Sequence, residues 1–433
     1  MIRLLKESKI LKQKVETLEK ENIALKNSLY NLSATYSINN NIKKHPFVFN
    51  FEFDKNENEE LTETSQTERK LKFAQSFFIV EQDNIKNCLH FSTKHKLNGH
   101  AGAVYAIDFS PSGDLLASGS FDKSVCIWDP YTGKKLKQMI KHTLNVTDVC
   151  WSNDSSKLIS GSFDQTCKLW DIESGKMLNS FEYQGFVQCV KYNPKDNNIF
   201  FAGTTKKLVI MKDVRKSSES FVFENNSMIN TLYVYNDGTY ILTGDSLGYL
   251  KTWDVRTGKC VNSILNEQRG QPVSHIAVSK RIIDDEEPRY LSVNSYDNII
   301  RVYDRGFSPP SKQCKTVLSL KGYKNRNWPI RSSSNYYNIE KSSRLGMPST
   351  NDEDIFFKND KSDLTALLAT GSSDSYTYIY SLKLNQEGYI APIQRLEGHT
   401  GIVYSTSFHP TNPILATCSA DCTIRIWNSK VKK

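Results

Sequence analysis

Long apolar runs are missing from this chain of 433 residues. Its N-terminus, "MIRLLKESKILKQK", is charged throughout, and no stretch approaches a membrane span or an uninterrupted signal-peptide core. The expectation is an intracellular protein, in nucleus or cytoplasm, with no membrane attachment. Paired cysteines are missing too. The nine present are scattered, most of them inside apolar runs, which suits reduced buried thiols and not a secreted disulfide frame. Cys418 and Cys422 stand closest together but lack a matching His/Cys set, so neither a metal site nor a cofactor is expected. There is no phosphate-binding loop, dinucleotide fingerprint, HExxH or GxSxG, and no clear basic import cluster.

What is present begins with unevenly placed charge. The formal net charge is +9, which permits an acidic partner without requiring one. Residues 1–44 carry nine Lys/Arg against four Glu, whereas residues 52–68 carry seven acids against one Lys. Within residues 1–34, Leu4, Ser8, Leu11, Val15, Leu18, Asn22, Leu25, Leu29 and Leu32 follow a 4,3 spacing. That is the seam of a heptad repeat. A single Asn at an a position selects a parallel, in-register pair at a cost in stability. Glu7 with Lys12, Lys14 with Glu19 and Glu21 with Lys26 are opposite-sign pairs across such a dimer. An α-helical parallel coiled coil is expected over 1–34, pairing with itself or with another chain.

Residues 35–88 read as a polar linker, with one exception at 45–53, "HPFVFNFEF". Phe47, Phe49, Phe51 and Phe53 alternate, so a strand here would put four rings on one face. It would dock on the protein's own surface or add to a partner's sheet.

The strongest signal is repetition. "LASGSFDKSVCIWD" (Leu116–Asp129), "LISGSFDQTCKLWD" (Leu158–Asp171) and "LATCSADCTIRIWN" (Leu415–Asn428) are versions of one sentence. His100 leads to Ser118, Asp122 and Trp128; His142 to Ser160, Asp164 and Trp170; His399 to Thr417, Asp421 and Trp427. The offsets from the His are the same in all three. A repeat of about 42 residues holding four short β-type runs is one blade of a propeller. Weaker copies fill the middle, with Thr243 and Trp253 in the fourth, Asp297 and Tyr303 in the fifth, and Tyr323, Thr370, Asp374 and Tyr380 in the sixth. The third, Val187–Asp213, keeps the strand pattern without the His/Ser/Trp set. The chain stops after the third strand of the seventh copy. Its outer strand must come from ahead of the first copy, where "LHFSTKHKL" (Leu89–Leu97) stands.

GH…WD units at this spacing resemble the WD40 family. The resemblance implies an all-β fold, a seven-bladed WD40 propeller over 89–433, preceded by the α-helical coiled coil. It also implies that each His–Ser/Thr–Asp–Trp set is a buried structural tetrad. A hydrolytic triad would occur once and open onto a cleft, so the protein is not expected to be an enzyme.

Four surface candidates remain. By resemblance to peptide-binding members, the position five after the His faces the channel mouth. It is Tyr105 in blade one, Tyr404 in blade seven and about Trp328 in blade six, with Thr147, Gln188, Asn230 and Ser274 in blades two to five. Phe121 and Phe163, just before the tetrad Asp, extend this rim. Aromatics in a concave rim anchor peptide side chains or cations. "KDVR" and "WDVR" place Arg215 and Arg256 in D-x-R motifs that resemble those of substrate receptors of cullin-type ubiquitin ligases, where the Arg contacts the ligase adaptor. An insertion of about 334–363 separates the first two strands of blade six. Finally, Lys321, Lys324, Arg326, Arg331, Lys341 and Arg344 interleave with Tyr323, Trp328, Tyr336 and Tyr337, a mixture that can hold single-stranded nucleic acid. The reading is a non-catalytic protein–protein scaffold, dimeric through its zipper, within a larger complex. The alternatives are a ubiquitin-ligase substrate receptor and an RNA-binding component.

Overall fold

The computed structural model describes residues 89–216, 220–267, 269–278, 288, 290–304, 315–338, 364–382 and 388–431. The expected coiled coil over 1–34, with its seam residues, and the linker over 35–88 lie outside these residues.

Apolar runs of five or six residues, too short for helices and bounded by Gly, Asn, Asp and Ser, form antiparallel strands. They group into seven sheets. Blade one is Val104–Phe109, Leu116–Ser120, Ser124–Trp128 and Lys135–Ile140. Blade two is Val146–Trp151, Lys157–Ser162, Thr166–Asp171 and Met177–Glu182. Blade three begins at Val187–Tyr192, blade four at Ile229–Val234, blade five at Val273–Val278 and blade six at Ser332–Asn338. In each, strand a is innermost and strand d outermost. Blade seven is Val403–Phe408, Ile414–Ser419 and Ile424–Val431, and its fourth strand is Leu89–Leu97. That pairing, with Leu97 opposite Ile424 and Leu89 opposite Val431, closes the ring. Closure leaves no open blade at either end of the series.

Alternation within strands makes the inter-blade core. Val104, Val146, Val187, Ile229, Val273 and Val403 open their a strands and are fully buried. Each of four such residues sits against the b-strand glycine of the preceding blade. A Cβ on Gly119, Gly161, Gly203 or Gly244 would come within 2.6–2.7 Å of the Val or Ile side chain beyond it. These glycines are chosen for close approach.

Two features depart from the simple repeat. The first strand of blade six pairs through Asn338 opposite Leu364, so residues 334–338, allotted to the insertion from sequence, are ladder, and the intervening segment is 339–363. The run "SSSNYYN" lacks alternating apolar residues, and cross-strand hydrogen bonding decides its state. The short strand Gly388–Ile390 lies between the third and fourth strands of blade six, yet it pairs in parallel with Lys315–Leu320 of blade five.

Candidate functional site

The tetrads come first because they fix the loops of one face. In blade one, His100 Nδ1 lies 2.9 Å from Asp122 Oδ2 and Nε2 lies 2.7 Å from Ser118 Oγ. Trp128 Nε1–H donates to the same Ser118 Oγ at 2.8 Å. A carboxylate only accepts, so Nδ1 carries the proton. Nε2 then accepts from the Ser118 hydroxyl. Blade two repeats the chain through His142, Asp164, Ser160 and Trp170, with distances of 2.8, 2.7 and 2.8 Å. Blade seven repeats it through His399, Asp421, Thr417 and Trp427 at 2.9, 2.8 and 2.9 Å. Ser118, Ser160 and Thr417 are completely buried, so no substrate reaches these hydroxyls. Burial by itself would raise the Asp122, Asp164 and Asp421 carboxyls. The hydrogen bonds from the His and from a neighbouring hydroxyl outweigh it, and all three sit well below the usual carboxylate range.

That neighbouring hydroxyl was not singled out from sequence. Ser124, Thr166 and Thr423 donate to Asp122, Asp164 and Asp421 at 2.6, 2.6 and 2.7 Å. The signal was there as D-x-S/T in "DKS", "DQT" and "DCT". The middle residues, Lys123, Gln165 and Cys422, have φ of 69°, 67° and 65°. A left-handed non-glycine residue costs about 1–2 kcal/mol. The Asp offsets that cost by bonding the backbone on both sides: Asp122, for example, accepts from Ala101 N–H and from Ser124 N–H.

Blades three to six are braced differently. Blade four keeps Trp253 Nε1–H donating to Thr243 at 3.0 Å. Asn225 stands four residues before Ile229, as His100 stands before Val104, and reaches Asp245 at 3.2 Å. In blade five, Tyr303 donates to Asn266 Oδ1 at 2.8 Å and Arg301 pairs with Asp297 at 2.5 Å. Blade six does not rebuild a tetrad. Tyr323 donates to Ser295 O of blade five, Tyr380 donates to Lys321 O, and Thr370 accepts from Asn294 of blade five.

The b–c and d–a loops held this way frame the channel mouth. Tyr105 and Tyr404 pack with centroids 4.8 Å apart, and Trp328 meets Tyr404 edge-on at 5.7 Å. Tyr404 is buried beneath this cluster, while Tyr105 and Trp328 are half-exposed. Trp328 arrives there by a different route from the one counted on the sequence. Tyr105 and Tyr404 lie within the first strands of their blades, whereas Trp328 lies four residues ahead of the first strand of blade six, Ser332–Asn338. Phe121 is 51% exposed, and Phe163 packs on the exposed Phe186 at 5.2 Å. Of the polar residues expected at this mouth, Thr147 and Ser274 are buried, and Thr147 and Asn230 bond backbone carbonyls of the next blade, Val187 O and Val273 O.

Below this cluster lies a residue whose role the sequence did not reveal. Arg331 extends from blade six to ion-pair with Asp148 of blade two, and it donates to Thr147 O at 2.9 Å. Asp148 is itself anchored by Val190 N–H of blade three at 2.9 Å. Lys191 stands close by, and the Asp148 charge raises its pKa against the opposing effect of burial. Burial first, then the charges of Arg331 and Lys191, hold the His275 imidazole well below its usual range. It stays neutral, and its Nδ1 faces Ser332 N–H.

The remaining candidates separate. Arg215 is committed to Asp213 and Asp196 at 2.8 and 2.9 Å, and Asp213 is lowered to about 2 chiefly by the Arg215 hydrogen bond. Arg256 is exposed, and its guanidinium makes no hydrogen bond or ion pair among the described residues. The two D-x-R arginines are therefore unequal. The basic–aromatic run of blade six is divided: Lys324 and Arg326 are exposed and Trp328 is half-buried, whereas Tyr323 is buried, Arg331 reaches Asp148 of blade two, and Lys321 stacks on Tyr389. Tyr336 and Tyr337 have no described side chains, and Lys341 and Arg344 lie outside the described residues. Among the described residues no cluster of His, Cys, Asp and Glu could hold a metal ion, and no helix is long and apolar enough to cross a membrane.

A ring of seven blades, closed by the strand Leu89–Leu97 and braced in three of them by His–Ser/Thr–Asp–Trp chains, defines a WD40-type β-propeller. The family model described as WD domain, G-beta repeat, matches residues 91–129, 133–171 and 390–428. Each match takes in one complete tetrad. The chain is a WD40-repeat protein. It is 22% identical over 369 residues to the WD repeat domain-containing protein 83 homolog of Dictyostelium discoideum, covering 77% of this chain and 96% of the relative. It is 25% identical over 342 residues to the U5 small nuclear ribonucleoprotein 40 kDa protein of the same organism, covering 77% of this chain and 84% of the relative. Among solved structures, the β-propeller domain of Cps50 (Swd1) from Myceliophteria thermophila matches with a TM-score of 0.62 at 19% identity, over 79% of this chain and all of that one.

Proposed function

We propose that this protein is a non-catalytic scaffold that holds partner proteins within a larger RNA-processing assembly in the nucleus. The observation that carries the scaffold is the aromatic cluster of Tyr105, Trp328 and Tyr404. The half-buried rings of Tyr105 and Trp328, packed on the buried Tyr404, together with exposed Phe121, are the chemistry of a peptide anchor. Arg331 and Asp148 occupy the channel beneath, so a bound side chain would rest on the rim. The RNA-processing setting is supported by similarity to the 40 kDa protein of a small nuclear ribonucleoprotein. The heptads of residues 1–34 would double the propeller and add avidity. The ligase-receptor reading is less favoured, because Arg215 is already paired.

The test is affinity capture from native cells with quantitative mass spectrometry, comparing wild type with Tyr105→Ala, Phe121→Ala. A defined set of RNA-processing proteins retained by wild type and reduced at least tenfold by the double variant, at unchanged melting temperature, is expected. Equal retention by both removes the rim from the reading. A partner set dominated by a cullin adaptor replaces the reading with the ligase one.

A further inference from the structure

The side of the propeller carries an unexplained concentration of positive charge where blades seven, one and two meet. Residues 89–142 hold seven lysines against four acids, whereas residues 221–304 hold eight bases against eleven acids. Of those four acids, Asp122 is tied into its tetrad, and Asp129 accepts from Thr132 Oγ1 at 2.6 Å and Tyr131 N–H at 2.8 Å within its own turn.

Exposed lysines stand on neighbouring elements of blades seven and one. Lys94 and Lys96 lie on the outer strand of blade seven; Lys134, Lys135 and Lys141 lie on the last turn and outer strand of blade one and just beyond it; all five are exposed. Two contacts stitch the blades together: His95 Nε2 lies 2.9 Å from Tyr131 O, and Lys94 Nζ stands 5.8 Å from the centre of the Tyr131 ring. Further round, Lys137 bonds Ile172 O at 2.7 Å and brings in the turn of blade two with exposed Lys176. None of these lysines forms an ion pair among the described residues. Tyr131, beside Lys94, is 39% exposed.

Edge-strand lysines also keep one sheet from pairing with another. That purpose does not require Lys134, which lies in a turn, nor an exposed ring beside it. Lys135 Nζ is held by Gly99 O at 3.2 Å and Gln138 Oε1 at 2.9 Å, and the Tyr131 hydroxyl lies 2.9 Å from His409 Nε2. The exposed ammonium groups of Lys94, Lys96, Lys134 and Lys141, with the Tyr131 ring, match a phosphodiester chain with a base to stack. We infer that this side surface binds the backbone of single-stranded RNA, leaving the b–c face free for proteins. The inference rests on the RNA-processing reading above and assigns it a surface other than the blade-six run.

The experiment measures fluorescence anisotropy of a labelled oligouridylate of about 20 nucleotides with the full chain, at about 50 and 200 mM salt. The variant is Lys94→Gln, Lys96→Gln, Lys134→Gln, Lys141→Gln; the control is Lys206→Gln, Lys207→Gln, two exposed lysines of blade three. The expected result is at least tenfold weaker binding by the quadruple variant. Its log–log salt slope should be shallower by about 3, near 0.7 for each lost contact, with the control unchanged. Equal binding by the quadruple variant overturns the surface while leaving the RNA-processing reading in place. No binding by wild type overturns the inference and removes direct RNA contact from that reading. Binding of a phosphorylated peptide as tight as that of RNA overturns RNA as the occupant.

Discussion

Blades one, two and seven share one bracing scheme, and blades three to six share none. In the first group each tetrad Asp accepts from a His, a hydroxyl and two backbone N–H groups, and each buried hydroxyl bridges a His and a Trp. In the second group the same space is filled by Asn225–Asp245, Arg301–Asp297 or tyrosine hydroxyls that reach backbone carbonyls. The fold tolerates both because backbone ladders and inter-blade packing supply most of the cohesion. The tetrad adds a stiff loop, and its three copies are consecutive around the ring: seven, one, two. Tyr404 and Tyr105 rise from two of those blades. The part of the rim proposed to bind thus sits largely on the sector that carries the tetrads.

This contrast can be broken at Asp164, which has the largest expected effect. Asp164→Ala leaves His142, Thr166 and Thr143 N–H without their acceptor in a buried place. It should cost about 3–5 kcal/mol in urea unfolding. In blade four, Thr243→Val removes one acceptor for Trp253 and should cost only about 1 kcal/mol. Equal costs would mean that the tetrad is no more than four ordinary contacts.

Arg331→Met comes next. It strands Asp148, whose side chain is 3% exposed, and cuts the one side-chain ion pair among the described residues that joins blade six to blade two. A loss of about 2–3 kcal/mol is expected in the same measurement, because the partner charge stays in a confined place. The double variant Arg331→Met, Asp148→Leu should regain part of it, since two apolar groups strand nothing.

The smallest effect is the dependence on pH between 7 and 5. His275 has a folded pKa below its unfolded value, so below about pH 6.5 the unfolded state binds the extra proton. Stability is therefore complete above that pH and falls on acidification. Melting temperature measured from pH 7 to pH 5 should drop less in His275→Gln than in wild type. An identical drop in both would place the titration elsewhere. Below about pH 4 a second, steeper loss is expected as the depressed carboxyls of Asp122, Asp164 and Asp421 are protonated.

Much of this architecture is readable without coordinates. Identical offsets from His100, His142 and His399 point to three equal units, and the strand-like run Leu89–Leu97 ahead of the first copy supplies the fourth strand of the seventh blade. Local spacing suffices there, because each blade is one self-similar stretch of chain and its hydrogen bonds run between neighbours in sequence. The hydroxyls of Ser124, Thr166 and Thr423 were equally legible in the repeated D-x-S/T.

Other features depend on residues far apart in the chain that only the closed ring brings together. Arg331 reads as part of a basic run until the ring sets it against Asp148, 183 positions away. Tyr323 and Tyr380 read as tetrad substitutes until neighbouring backbones claim their hydroxyls. Gly388–Ile390 leaves its own blade because the outer edge of blade five offers an unpaired ladder. Lys94 and Tyr131 are 37 residues apart in sequence and meet in space because the ring must close. Composition and spacing determined the number of blades, their order and the bracing of three of them. Tertiary structure decided which charges meet, because ring closure sets those distances and no local pattern encodes them.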